Sequence, residues 1–239
     1  LGFAEGEVAV LFVGRLSFHG KAHPLPMFLG LEGAAQRTGR RVHLVLCGEF
    51  PNKFIRAAFL EEARKFAPSV NIIVLNGADK DERETAWSCA DIFTSFSDNI
   101  QETFGLTPIE AMAAGLPVVV SDWNGYKDTV RHEIDGFRIP VWSPPAGFGE
   151  DLADRHDRQL DSYDVYIGSA SQFIAVDIDA AIDAFARLIE SDSLRARMGD
   201  AGRRRAREVF DWSVVFAQYA ALWEQLHDLR RSTAPMRGE

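Results

Sequence analysis

Apolar residues in this chain fall into short unbroken runs separated by stretches of helical spacing. Val8 to Val13 reads Val-Ala-Val-Leu-Phe-Val and is closed by Gly14, the pattern of a strand buried on both faces of a parallel sheet. Similar runs recur at Val42 to Leu46, Ile72 to Leu75, Ile92 to Ser95 and Val118 to Val120, with a shorter one at Phe137 to Ile139. Between them, Pro26 to Gln36, Phe54 to Phe66, Asp81 to Cys89 and Pro108 to Ala114 carry helical periodicity. The alternation predicts an α/β domain, a doubly wound, mostly parallel, Rossmann-like sheet with right-handed crossovers.

After Pro140 the pattern loosens. Ser143 to Gly147 reads as a turn and Glu150 to Tyr166 as acidic and aperiodic, which predicts a long surface excursion over about 143–173. Order returns with a helix from Ile178 to Ile189, a basic helix from about Leu194 to Val209 and a closing helix at about 212–230. In the last, Val215, Phe216, Tyr219, Leu222, Trp223, Leu226 and Leu229 form an apolar stripe. The stripe reads as packing against its own domain, with a partner-binding face as the alternative. Residues 1–239 read as one domain.

Ligands of a doubly wound sheet sit outside the carboxyl ends of the strands. Two loops there carry chemistry. Gly14-Arg15-Leu16-Ser17-Phe18-His19-Gly20-Lys21 follows the first strand, and Arg15 with Lys21 could neutralise a diphosphate. The bland alternative is two solvated loop cations. The second stretch runs from Gln101 to Val120 and places Glu102 ahead of a glycine turn and Glu110 in the first turn of a helix. Thr107-Pro108-Ile109-Glu110 has the grammar of a Thr N-cap, Pro at N1 and Glu at N3, with free N–H groups suited to an anion. Glu110 is either the far half of a capping box or an acceptor for ribose hydroxyls; spacing leaves both open. Glu102 has no capping duty, so it is either solvent-exposed or functional.

Composition narrows the partners. The net charge of −9 over 239 residues argues against broad nucleic-acid or anionic-membrane binding, so an anionic ligand must be met by a local cationic cluster. Two cysteines, Cys47 and Cys89, are too few for a disulfide framework and favour a reducing, cytoplasmic setting. No apolar run approaches the roughly 20 residues of a membrane span. His19 and His23 are a poor metal pair, because Gly20 and Pro24 interrupt any helix and no third ligand stands at motif spacing. The Asp151 to Asp164 run lacks the spacing of a calcium loop. Glycine-rich dinucleotide, P-loop and nucleophile-elbow motifs are all missing.

Four segments carry a family likeness: Phe12-Val13-Gly14-Arg15-Leu16 with Lys21, Cys89 to Phe93, Glu102 to Val119, and Asp135-Gly136-Phe137. The third holds a Glu-x7-Glu pattern. With them the chain resembles the C-terminal, donor-binding domain of the family 4 (group 1) retaining glycosyltransferases, one half of the GT-B fold. The resemblance implies that Arg15 and Lys21 hold the donor diphosphate beside Gly14, aided by backbone N–H groups across Phe104, Gly105, Leu106 and Thr107. It implies that Glu110 takes the ribose, that Glu102 faces the sugar, and that Asn76-Gly77 meet the base. Arg15, Lys21 and Glu102 would then be the catalytic set, with a nucleotide-diphospho-sugar as donor and no tightly held metal or other cofactor. Such enzymes carry an N-terminal acceptor domain that nothing before Val8 can be. The expectation is therefore a fragment, or a half whose partner is a separate polypeptide, inactive alone. A non-catalytic sugar-nucleotide or protein-binding module is the alternative, and an isomerase or phosphorylase on the same architecture a third.

Overall fold

The structure, a computed structural model, describes residues 1–232; residues 233–239 of the predicted domain lie outside the described residues. The first half alternates strand and helix: β1 (Val8–Val13), α1 (Leu25–Thr38), β2 (Val42–Gly48), α2 (Lys53–Phe66), β3 (Asn71–Asn76), α3 (Lys80–Cys89), β4 (Ile92–Ser95) and α4 (Leu106–Ala114). It continues with β5 (Val118–Ser121), a short α5 (Tyr126–Thr129) and β6 (Gly136–Ile139). These six strands form one parallel sheet in the order β3-β2-β1-β4-β5-β6. Every run read as a strand is one, although the Ile72 to Leu75 run, on edge strand β3, is only partly buried.

Those runs are continuous because both faces of the sheet are covered. Val8, Val10 and Phe12 of β1 enter one core with Met27, Phe28 and Leu31 of α1 and Phe59 of α2. Leu11, between them, enters the other with Phe93, Ala111, Met112 and Tyr126, as the two-residue period of a strand requires. Two of the likeness-bearing segments serve this frame. Asp91 accepts the β1 amide of Ala9 at 2.8 Å. Buried Asp135 takes a fork from Arg131 at 3.0 and 2.6 Å, closing the corner before β6.

The region after β6 has more order than its aperiodic sequence predicts. Within the excursion at 143–173 lie α6 (Glu150–Asp157), none of whose residues is buried, and α7 (Tyr163–Ser171). Its ends are clamped by an antiparallel pair, β7 (Val141–Trp142) with β8 (Ala175–Val176). Short-range polar contacts, which hydrophobic periodicity does not register, hold it. Ser162 caps α7 through the Val165 amide at 3.3 Å, Arg155 grips Asp161 at 2.7 and 2.9 Å, and His156 stacks on Tyr166.

Three helices end the described chain: α8 (Ile178–Glu190), α9 (Asp192–Arg205), which runs into a π-helical turn Ala206–Phe210, and α10 (Trp212–Ser232). The basic residues of α9 act as C-terminal caps for other helices. Arg203 donates to Ala114 O at 3.0 Å and packs over Gly115, whose φ of 84° ends α4. Arg205 donates to Thr129 O and Asp128 O at the end of α5. For α10 the favoured reading was wrong: none of its residues is buried, and Trp212 and Trp223 are 69% and 62% exposed. The stripe is not packed on its own domain, and the helix is exposed on every side.

Candidate functional site

β1 and β4 are neighbours at the middle of the sheet, and the chain leaves them in opposite directions, to α1 on one face and α4 on the other. That is a topological switch point, where the two outgoing loops leave a crevice. One loop is Gly14 to Pro24; the other is Phe96 to Gly105. The predicted Arg15, Lys21 and Glu102 therefore meet across the most ligand-prone position of the fold.

The loops are stitched together by polar contacts. Ser97 Oγ donates to Lys21 O at 3.1 Å, and Asn99 Nδ2 donates to His19 O. Arg15 donates to Gly20 O at 2.6 Å and Gln101 Oε1 at 3.3 Å. At the centre Lys21 Nζ pairs with Glu102 Oε2. Tyr126 donates its hydroxyl to the same carboxylate oxygen at 3.2 Å and lies 2.8 Å from Ser95 Oγ, and its ring centroid is 5.9 Å from Lys21 Nζ. Burial first, then the Glu102 charge, pushes the Tyr126 phenol well above its usual range, so it stays a donor. Glu102 is thus neither solvated nor unpaired: it is the half-buried partner of a cation and a phenol. Sequence reasoning missed Tyr126, which lies outside every motif.

Across the crevice stands the start of α4, and here the predicted capping box does not form. The helix begins at Leu106, one residue before Thr107, behind Gly105 at φ 89°. A Cβ on Gly105 would lie 2.4 Å from the Tyr126 ring, so glycine is required both for the backbone angle and for this contact. No side chain caps the helix, and the Thr107 hydroxyl has no partner among the described residues. The first-turn N–H groups of Leu106 and Thr107 are left for a ligand. Starting the helix earlier moves Glu110 past the first turn, where it cannot cap. It stands exposed on the helix, yet the surrounding walls partly desolvate its carboxyl and raise its pKa, with the Arg83 guanidinium acting against this.

Asn76 and Gly77 lie apart from this centre, at the end of edge strand β3, two strands or roughly 10 Å from β1. Asn76 is folded into its own turn, donating its N–H to Glu82 at 2.6 Å and accepting from Ala78 at 3.0 Å. It borders an open cleft of about 540 Å3 with Gly48, Glu49, Phe50 and Arg56. Arg83 donates to Gly77 O at 2.8 Å while its charge acts on Glu110, bridging two predicted residues that do not touch. Phe104 and Leu106 present exposed apolar surface at the rim. His23 Nδ1 accepts from the Leu25 N–H, and burial keeps its imidazole neutral. The arrangement can receive a diphosphate between two cations and a helix N-terminus, with a carboxylate held beside it.

Known proteins share part of this sequence and its fold. The phosphatidyl-myo-inositol mannosyltransferase of Mycobacterium leprae is 29% identical over 155 residues, covering 64% of this chain and 32% of that protein. The chain thus spans about a third of the length of such relatives. HepE of Anabaena, solved with UDP and glucose, superposes with a TM-score of 0.57 at 18% identity, over 92% of this chain and 49% of that one. The C-terminal domain of a glycosyl transferase group 1 family protein (LpcC) from Francisella tularensis superposes at 0.56 and 16% identity, over 86% of this chain and 87% of that domain. These superpositions show the fold, that of the GT-B glycosyltransferases. A family model described as glycosyl transferases group 1 matches residues 1–152, well over half of the sequence, and the chain belongs to that family.

Proposed function

We propose that this chain is the nucleotide-diphospho-sugar-binding half of a retaining glycosyltransferase. The observation that carries the reading is the Lys21–Glu102 pair, set with Arg15 opposite the uncapped start of α4. An entering diphosphate draws Lys21 from Glu102, and Tyr126 keeps the released carboxylate aimed at the sugar side. Glu110 accepts the ribose hydroxyls, and the Asn76-Gly77 end of the crevice receives the base.

In the reaction, the bond from the anomeric carbon to the diphosphate oxygen breaks. An acceptor oxygen bonds to the same face of that carbon, and the acceptor proton passes to the leaving diphosphate. Arg15, Lys21 and the α4 amides stabilise the charge that develops there, and no step needs a resident metal. HepE, solved with UDP and glucose, is consistent with such a donor. The acceptor belongs to a second domain, and the exposed Trp212, Phe216, Tyr219 and Trp223 of α10 suit an intramolecular or intermolecular seat for it. The isolated chain binds donor and does not turn it over. Free Cys47 and Cys89, both with thiols raised by burial, fit a cytoplasmic enzyme.

The test is ligand-induced stabilisation. A nucleoside diphosphate raises Tm, and Arg15→Ala with Lys21→Ala abolishes the rise. No shift with any nucleoside diphosphate at millimolar concentration removes the proposal. Donor binding without turnover after reconstitution with the remaining domain would favour a pure binding module.

A further inference from the structure

On the far side of the loop that carries Arg15 and Lys21 lies an open cavity of about 1100 Å3. Ile174, Ala175, Val176 and Ile178 close one side, and two further walls carry the polar groups. Phe18, His19 and His23 of the loop and Leu25, Pro26 and Leu29 of α1 form one; Asp164, Val165, Ser169 and Gln172 of α7 form the other. The second wall lies beyond residue 152, outside the part of the chain that the family match covers. α7 seats directly on the loop, since a Cβ added at Gly168 would lie 3.3 Å from His19 Cβ.

Asp98 lines this cavity and is 5% exposed. Its Oδ2 accepts the His23 amide at 3.0 Å, and its Oδ1 has no partner among the described residues. An unpaired buried carboxylate oxygen costs stability and calls for an explanation. No step of the proposed transfer uses it. The cavity also contains no lysine or arginine among its lining residues, which disfavours an anion. Asp98 and Asp164 both line it as acceptors, and His19, Ser169 and Gln172 add groups that donate as well as accept, the mixture that hydroxyl groups match. Phe18, Leu25, Pro26 and Leu29 offer the apolar surface that the C–H face of a ring covers.

We propose that this cavity is a second binding site, separate from the Lys21–Glu102 crevice, for an uncharged hydroxylated ligand such as a sugar ring, with Asp98 as its principal hydrogen-bond acceptor. Asp98 Oδ1 is closed from solvent in the ligand-free chain, so binding includes a shift of the His19–His23 segment that uncovers it. The same segment holds Lys21, and occupancy is therefore felt at the crevice. The proposal stands independently of the transferase reading.

The experiment is an amide NMR titration of this chain with glucose, mannose, galactose and myo-inositol, and with glucosamine and glucuronate as charged comparators. At least one neutral compound is expected to shift the amides of His23 and Gly168 to Gln172 saturably, at up to tens of millimolar. Asp98→Asn and Ser169→Trp, the second filling the cavity from α7, each weaken that binding tenfold or more. Ser169→Trp retains nucleoside diphosphate binding, so loss of the cavity and failure of the crevice are told apart. Should Asp98→Asn not fold, Ser169→Trp alone carries the test. Saturation by no neutral compound, shifts unaffected by the variants, or binding of glucosamine alone overturns the proposal.

Discussion

The ammonium of Lys21 is held by the Glu102 carboxylate, and the hydroxyl of Tyr126 holds that carboxylate from a second side. Tyr126→Phe removes one oxygen and leaves the ring that backs Gly105. It strands Ser95 Oγ and releases Glu102, and the expected cost is about 1–2 kcal/mol in a denaturant titration, a usual loss for a buried hydrogen bond. Nucleoside diphosphate affinity should persist, because Arg15, Lys21 and the α4 amides remain. Asp98 makes a prediction of opposite sign. Burial lifts its carboxyl from 3.8 to about 6, while the backbone N–H groups of His23 and Asp98 pull it down. The folded chain therefore binds a proton that the unfolded chain has released, and this group's stabilising share is lost as pH rises through about 6. Asp98→Asn should be near neutral around pH 4 and stabilising by on the order of 3 kcal/mol around pH 8. Thermal denaturation of both proteins across that range is the check. Burial also lowers the His23 imidazole, which faces Glu62, and that contribution is common to both proteins.

At the scale of elements, hydrophobic runs marked every strand of the main sheet, because all but the half-buried edge strand β3 are largely enclosed. They could not mark α6 and α7, whose order rests on the Ser162 cap, the Arg155–Asp161 fork and the His156–Tyr166 stack. Nor could they show that the α10 stripe would not pack on its own domain. Its residues Trp212, Phe216, Tyr219, Trp223 and Leu226 recur at alternating steps of four and three, the spacing of a seam between helices. Phe216→Glu with Trp223→Glu should leave the Tm of this chain nearly unchanged, since nothing buried is lost, and should abolish association with the proposed acceptor domain in a pull-down or sedimentation assay. The end of α4 makes the contrasting case. Gly115→Ala places a Cβ in the left-handed region and against the Arg203 guanidinium, and should destabilise the fold by about 1–2 kcal/mol by denaturant titration.

For the whole molecule, the crevice was legible wherever its residues sit at strand ends. Arg15, Lys21 and Glu102 come together because β1 and β4 are sheet neighbours, an adjacency that the strand order supplies and the alternation alone does not. Glu110 was ambiguous in the sequence because Thr-Pro-x-Glu imitates a capping box; the helix start at Leu106 removes the imitation. Tyr126, Arg83 and the second wall supplied by α7 were illegible, since each acts through a contact distant in sequence. A chain of −9 net charge that gathers Arg15 and Lys21 at one crevice should bind a nucleoside diphosphate with an affinity that falls as salt rises, measurable by calorimetry at two ionic strengths.

The π-helical turn before α10 gives this layout a mechanical side. Phe210, its last residue, sets its ring edge-on to Phe104, the residue immediately ahead of Gly105 and the α4 start, with centroids 6.0 Å apart. Arg205, one residue before that turn, is tied to the end of α5, whose first residue is Tyr126. The long exposed helix is thus rooted against both the anion-receiving turn and the phenol behind it. Whatever grips α10 holds a lever whose short arm ends at the crevice, so a docked partner and a bound donor would each change how firmly the other is held.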